Sequence, residues 1–262
     1  GAMIDPSTLT SFIEYCEENY EANRYDLIFW DHGGGSISGY GYDEKYPNAG
    51  SMDLAGIDEA LTEAGVKFDF IGFDACLMAT VENALMLSEH ADYLIASEET
   101  EPGIGWYYTN WLNALSNNTS ISTLALGQII CDDFVDKCNQ DAYGQSATLS
   151  VVDLSEMESI VPSALSSFSY TTNNLIIEDY QTVAKARSGS REFSSDSYID
   201  MVDMIDLSNR INSEEAQELT EVLKKAIKYN KTSRDMSNAY GLSIYFPYRS
   251  PYYLNDALSV YD

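Results

Sequence analysis

The chain has 262 residues, 45% of them hydrophobic, which suffices for one sizeable core, and its 20 tyrosines argue against disorder. Acidic residues outnumber basic ones 42 to 14, a net charge of −28 that repels nucleic acid and anionic membranes and attracts cations. No apolar run reaches the roughly 20 residues of a membrane span, no charged-then-apolar leader opens the sequence, and no internal repeat or low-complexity linker divides it, so one domain over residues 1–262 is expected.

Residues 6–20, PSTLTSFIEYCEENY, place Leu9, Phe12, Ile13 and Cys16 at helical spacing behind Pro6 and Ser7, predicting a helix with Cys16 on its core-facing stripe. Asn23-Arg24 then turns the chain into a strand over Asp26–Asp31. Its Leu-Ile-Phe-Trp run does not alternate with polar residues, as expected of a strand covered on both faces in a parallel sheet. The run stops on His32, followed by Gly33-Gly34-Gly35 and a glycine- and tyrosine-rich loop over 36–51 that holds Lys45. Residues 53–64 read as an amphipathic helix with Leu54, Ile57 and Leu61 inward and Gly65 as its C-terminal cap. A second apolar strand, Phe68–Phe73, stops on Asp74-Ala75-Cys76, and Cys76 is expected to open a helix from about Leu77 to Glu89. His90, between Glu89 and Asp92 past that helix, reads as a surface residue.

A third strand, Tyr93–Ser97, ends in Glu98-Glu99-Thr100-Glu101 before Pro102-Gly103, and the aromatics Trp106, Tyr107, Tyr108 and Trp111 follow. Residues 121–139 read as a helix, Thr148–Val152 as a strand, and Ser155–Phe168 as a helix containing Pro162. Residues 170–196 read as less regular, with Arg187 and Arg191 among Ser and Gly. Tyr198–Leu207 is apolar with acids at intervals. Asn212 or Ser213 caps a helix to about Tyr229, and Leu242–Phe246 is a strand closed by Pro247. The four cysteines form no CxxC pair, and with two histidines the chain offers no zinc pattern. Cys131 and Cys138 lie seven residues apart in the helical pattern, about 10 Å along one face, too far for an unstrained disulfide.

Strand, loop, helix, strand between His32 and Cys76 is a βαβ unit, which predicts parallel strands and a right-handed crossover. Both residues then emerge at one carboxyl edge, where open α/β folds bind ligands. A thiol must ionise to attack a carbonyl, and a nearby imidazole or a helix N-terminus promotes this. His32 can also protonate a leaving amine. The glycines after it let a peptide lie close, and the Gly33 N–H can face a developing oxyanion. Either residue alone reads most simply as a turn histidine or a core cysteine; together they point to a cysteine hydrolase. Asp74, two residues before Cys76, can receive a basic substrate side chain, repel a thiolate or pair with a local donor. Glu98, Glu99 and Glu101 either line the same pocket or form a solvated acidic loop.

The segments DPSTLTSFIEYCEENY, YDLIFWDHGGG, FDFIGFDACLMATVE, YLIASEETEPGIGW and YGLSIYFP together resemble the clostripain family of cysteine peptidases, over about residues 5 to 247. The resemblance implies an α/β fold, a caspase-like αβα sandwich with a mostly parallel central sheet. It implies a catalytic dyad of His32 and Cys76, and Asp74 in the floor of the S1 pocket, selecting protein or peptide substrates with Arg or Lys at P1. Glu99 is the choice for a second acid there. Family members usually carry further strands before the first helix seen here, which are expected to be absent or supplied by a second chain. Members are also activated by self-cleavage after the histidine, for which Lys45 is the candidate, Lys67 and Arg24 abutting strands. Some members need calcium; no EF-hand pattern is present, and no cofactor or metal ligand is assigned. Secretion or cell-surface display by a bacterium is the implied setting. Two alternatives stand beside the peptidase: a catalytically silent binding or scaffold module, and a cysteine amidase or transpeptidase on the same fold.

Overall fold

The structure, a computed structural model, describes residues 1–197, 199–247 and 254–255. Helix α1 (Pro6–Asn19) starts where Asp5 takes the Ser7 N–H at 3.0 Å, and Cys16 on it is half-buried. Strand β1 (Asp26–Trp30) follows, then a short helical turn α2 (Gly35–Ser38) and helix α3 (Leu54–Ala64). The Asp53 carboxylate caps α3 from the Gly56 N–H at 2.8 Å, and Gly65 ends it in the left-handed conformation. Strand β2 (Phe68–Asp74) leads to helix α4 (Val81–Met86), one 3-10 turn over Leu87–Glu89 and strand β3 (Ala91–Ala96). Next come helices α5 (Tyr108–Asn117) and α6 (Thr123–Asp141), strand β4 (Thr148–Asp153), and helices α7 (Leu154–Glu178) and α8 (Tyr180–Gly189). Short strands β5 (Glu192–Phe193) and β6 (Met201–Asp203), helices α9 (Met204–Ile211) and α10 (Glu214–Ala226), and strands β7 (Ile227–Thr232) and β8 (Ser243–Tyr245) complete the described elements.

One sheet has the order β1-β2-β3-β4-β7. β1, β2 and β3 are parallel in register, with Leu27 opposite Ile71 and Ile71 opposite Leu94. The two-residue side-chain period splits β2 between two cores. Ile71 and Phe73 join Leu27, Phe29 and Leu94 under α3, α7 and α10, while Phe70 joins Ile95, Leu149 and Val151 under α5 and α6. Phe29 stacks on Phe73 with ring centroids 4.8 Å apart. A second sheet, β5-β6-β8, is tied by a bridge between Ser243 of β8 and Thr80, in the segment that leads from β2 to α4. It closes a third apolar core with Leu77, Phe193, Met201 and Tyr245, against which Cys76 packs.

Several elements differ from the sequence reading. β4 runs antiparallel to β3, so the sheet is mixed though mostly parallel. Two helices, α5 and α6, connect β3 to β4. A pair of helices returns the chain to the edge it left, whereas a single one carries it to the opposite edge. Residues 170–196 are largely helical, and α8 has a reason to be: the buried Arg187 guanidinium holds Glu192 at 3.2 Å and Asp200 at 2.8 Å, tying the helix to the small sheet. The helix expected to reach Tyr229 stops at Ala226, and Ile227–Thr232 becomes the last strand of the main sheet. His90 is buried, not on the surface, with Nε2 2.7 Å from Asp58 Oδ1.

Candidate active site

The carboxyl ends of β1 and β2 lie side by side, with Trp30 paired to Asp74 in register. Past them Trp30, Asp31 and His32, then Asp74, Ala75 and Cys76, meet the loop carrying Glu101, Pro102, Gly103 and Gly105 around a cleft of about 440 Å³. The Asp31 carboxylate takes the His32 N–H at 2.6 Å and the Tyr42 N–H at 3.3 Å, holding the start of the loop beside the histidine. The chain pairs back on itself there: Gly41 donates to the His32 carbonyl and Gly34 to the Gly39 carbonyl, both at 2.8 Å. That pairing leaves the Gly33 N–H without an acceptor among the described residues. Gly33 must be glycine, because a Cβ on it would stand 2.0 Å from the Cys76 carbonyl oxygen.

Cys76 does not open a helix. α4 begins at Val81, with Thr80 Oγ1 capping it from the Asn83 N–H at 3.0 Å. Between lies Leu77 at φ +68, a left-handed conformation costing about 1–3 kcal/mol in a non-glycine residue, held by its N–H on the Glu99 carbonyl at 3.2 Å and a buried side chain. The expected help of a helix N-terminus to the thiolate is therefore missing. Burial pushes the Cys76 thiol up from its ordinary value, the Glu101 N–H on Sγ at 3.2 Å works the other way, and the charge of Glu99 adds to the rise. A thiol in this setting must first lose its proton to react as a nucleophile.

Asp74 closes one end of the cleft. Its carboxylate accepts the Trp106 N–H at 3.1 Å and the Tyr108 hydroxyl at 2.9 Å, and it lies within hydrogen-bonding reach of the Glu101 carboxyl. Burial raises Asp74, with these hydrogen bonds opposing; burial and then the Asp74 charge hold Glu101 well above the usual carboxylate range. Glu101 Oε1 accepts the Trp106 indole N–H at 3.4 Å, while no N–H or O–H among the described residues reaches its buried Oε2.

His32, Gly33, Cys76 and Asp74 are thus gathered at one edge. Glu99 is not: its Oε1 accepts the Thr100 N–H at 2.8 Å and the Ser194 N–H at 3.1 Å, facing the small sheet. Pairing of Leu77 and Ala79 with the Glu99 and Ser97 carbonyls turns that side chain away. Glu101, not Glu99, lines the cleft beside Asp74, and Trp106 and Tyr108 hold these two acids by hydrogen bonds; the sequence signal for Glu101 was only its membership of the acidic run. Lys45 lies in an exposed loop, its N–H on Asp43 Oδ1 at 2.8 Å. Among the described residues no three His, Cys, Asp or Glu side chains are arranged to hold a metal ion. No helix among them is long and apolar enough to cross a membrane.

Helices on both faces of a mostly parallel sheet, with a histidine and a cysteine at neighbouring strand ends, define the caspase-like α/β class. The chain belongs to the Clostripain family, whose model matches residues 2–261. It is similar to clostripain of Hathewaya histolytica, 36% identical over 123 residues, a match spanning 40% of this chain and only 23% of that protein. The fold is that of a secreted cysteine protease from Bacteroides thetaiotaomicron solved with an irreversible peptide inhibitor, at TM-score 0.70 and 19% identity, covering 100% of this chain and 79% of the other. It is likewise that of an inactive protease zymogen from Parabacteroides distasonis, at TM-score 0.69 and 22% identity, covering 98% of this chain and 73% of the other.

Proposed function

We propose that this chain is a cysteine endopeptidase that cuts after Arg or Lys. The observation that carries the reading is the single cleft into which His32, Cys76, Asp74 and Glu101 all face. The P1 cation enters between Asp74 and Glu101, in a low-dielectric pocket where, among the described residues, no Lys or Arg is paired to either acid. His32 takes the thiol proton as Cys76 Sγ bonds to the scissile carbonyl carbon, and the free Gly33 N–H faces the oxyanion. Collapse breaks the C–N bond, His32 delivers its proton to the leaving amine, and an acyl thioester remains. His32 then deprotonates a water whose oxygen displaces the thiolate, releasing the new carboxyl end. The steps invoke side chains and backbone alone, without a cofactor.

Self-cleavage after Lys45 fits the same specificity, since that lysine is displayed on an exposed loop that begins at the catalytic histidine. Secretion by a bacterium is proposed on the likeness to the Bacteroides protease. The test is hydrolysis of fluorogenic peptides ending in Arg, Lys or Leu. Cys76→Ala is expected to abolish turnover, and Asp74→Asn to lose the Arg and Lys substrates at least tenfold more than it lowers melting stability would explain. Undiminished turnover in Cys76→Ala would remove the assignment; a Leu preference in the unsubstituted protein would remove the basic P1 residue.

A further inference from the structure

The two carboxyls of the pocket present an electrostatic problem that the substrate reading leaves open. Asp74 and Glu101 line the same cleft and both accept hydrogen bonds from Trp106, which sets the two carboxyls side by side, yet two ionised carboxylates are acceptors only and repel. Neither forms an ion pair among the described residues; the donors present are the Trp106 and Tyr108 groups already described, all uncharged. Glu101 Oε2 is buried with no N–H or O–H among the described residues to accept. The remaining titratable groups that face the pair do not supply charge of the right sign. Cys76 approaches from the turn after β2, Tyr40 from the loop after α2, Tyr108 from α5, and Cys131 and Cys138 from α6; each is neutral or negative. Asp31 lines the cleft mouth, and His32 there is the base for the thiol.

We propose that the empty P1 pocket keeps one proton between Asp74 and Glu101, and that an entering Arg or Lys side chain expels it and takes its place between two carboxylates. The inference rests on the basic-P1 reading and gives it a mechanism of selection. An uncharged side chain cannot displace the proton, so it meets a pocket already satisfied internally; a cation exchanges one positive charge for another and finds four acceptor oxygens. Binding of a basic P1 residue is then coupled to proton release, and affinity must strengthen as pH rises through the range in which the empty pair holds its proton.

The experiment uses the full chain as Cys76→Ala, which removes both turnover and thiol ionisation. A peptide with P1 Arg and its twin with P1 citrulline, an uncharged isostere, are titrated calorimetrically from pH 5 to 8 in buffers of different ionisation enthalpy. For the Arg peptide, release approaching one proton is expected in the lower part of that range. There the dissociation constant should fall up to about tenfold per pH unit, both effects vanishing once the empty pocket has deprotonated. The citrulline peptide should show neither. Adding Glu101→Gln should abolish release while leaving a single carboxylate to hold the cation, with folding checked by its thermal transition. Arg preferred over citrulline with no buffer dependence and a flat pH profile overturns the shared proton and leaves the basic P1 residue standing. Equal affinity for the two peptides overturns both. A release that persists in Glu101→Gln assigns the proton elsewhere and overturns the inference.

Discussion

Gly33 and the carbonyl of Cys76 touch so closely that one methyl group decides whether the site can form. Gly33→Ala forces the Cys76 backbone aside, and a displacement of about 1 Å at a nucleophile costs on the order of a hundredfold in rate. We therefore expect kcat/KM on an Arg substrate to fall at least that far in Gly33→Ala, with a smaller change in the thermal midpoint. Near-normal turnover would mean that the strand ends relax freely. His32 and Cys76 were readable in the sequence for a separate reason. Each ends an apolar run abruptly, and a parallel βαβ connection brings such ends together whatever fills the loops. Glu101 was not readable in the same way. It and Glu99 stand two residues apart in one acidic run, and only the pairing of Leu77 and Ala79 with the chain at Glu99 and Ser97 decides which carboxyl faces the cleft. His90 was misread for a related reason: its position past a helix end suggested exposure, but its partner Asp58 lies 32 residues away.

At the scale of elements, the continuation of β3 is fastened to the small sheet by a second buried acid pair. Glu98 Oε2 accepts the Gly241 N–H at 2.8 Å, and its carboxyl meets that of Asp203, which itself accepts the Asp206 and Tyr240 N–H groups. Burial first, then the Asp203 charge, holds Glu98 well above its usual range; burial pushes Asp203 up to about 6. Both folded values lie above the unfolded ones, so the folded state binds more protons. The pair's stabilisation is complete below about pH 4, near the unfolded carboxyl values, and is lost as pH rises through about 6 for Asp203, the raised Glu98 adding a loss of the same sign. Glu98→Gln replaces the shared proton with a permanent amide donor. It is expected to stabilise the protein by about 1–2 kcal/mol at pH 8 and to gain nothing at pH 4.5, as read by urea unfolding at both values. An equal gain at the two pH values would remove the pair as the cause. Element identity was mostly legible from periodicity, whereas strand direction was not. The helix α5 hid among aromatics, and without counting both helices of the pair the direction of β4 cannot be read from the sequence.

Over the whole molecule, a cut after Lys45 would sever the chain without freeing either piece. Tyr40 and Met52 exchange two backbone hydrogen bonds of 2.8 Å across the base of the loop, β1 pairs with β2 over five residues, and α1 packs on α3. After incubation with trace active protease we expect two bands on a denaturing gel, a new N-terminus at Tyr46, and one unshifted peak in gel filtration; separate elution of the fragments would contradict this architecture. The sequence by itself determined the α/β class, the two strands that deliver a histidine and a cysteine to one edge, and an acidic neighbourhood beside them. These follow from local periodicity and from the few ways a βαβ unit can close. Tertiary structure alone decided which acid partners Asp74, that Cys76 lacks a helix terminus, and that the sheet is mixed. Each of these depends on side-chain direction in irregular backbone and on contacts between residues distant in the chain, where no local pattern in the sequence carries the information.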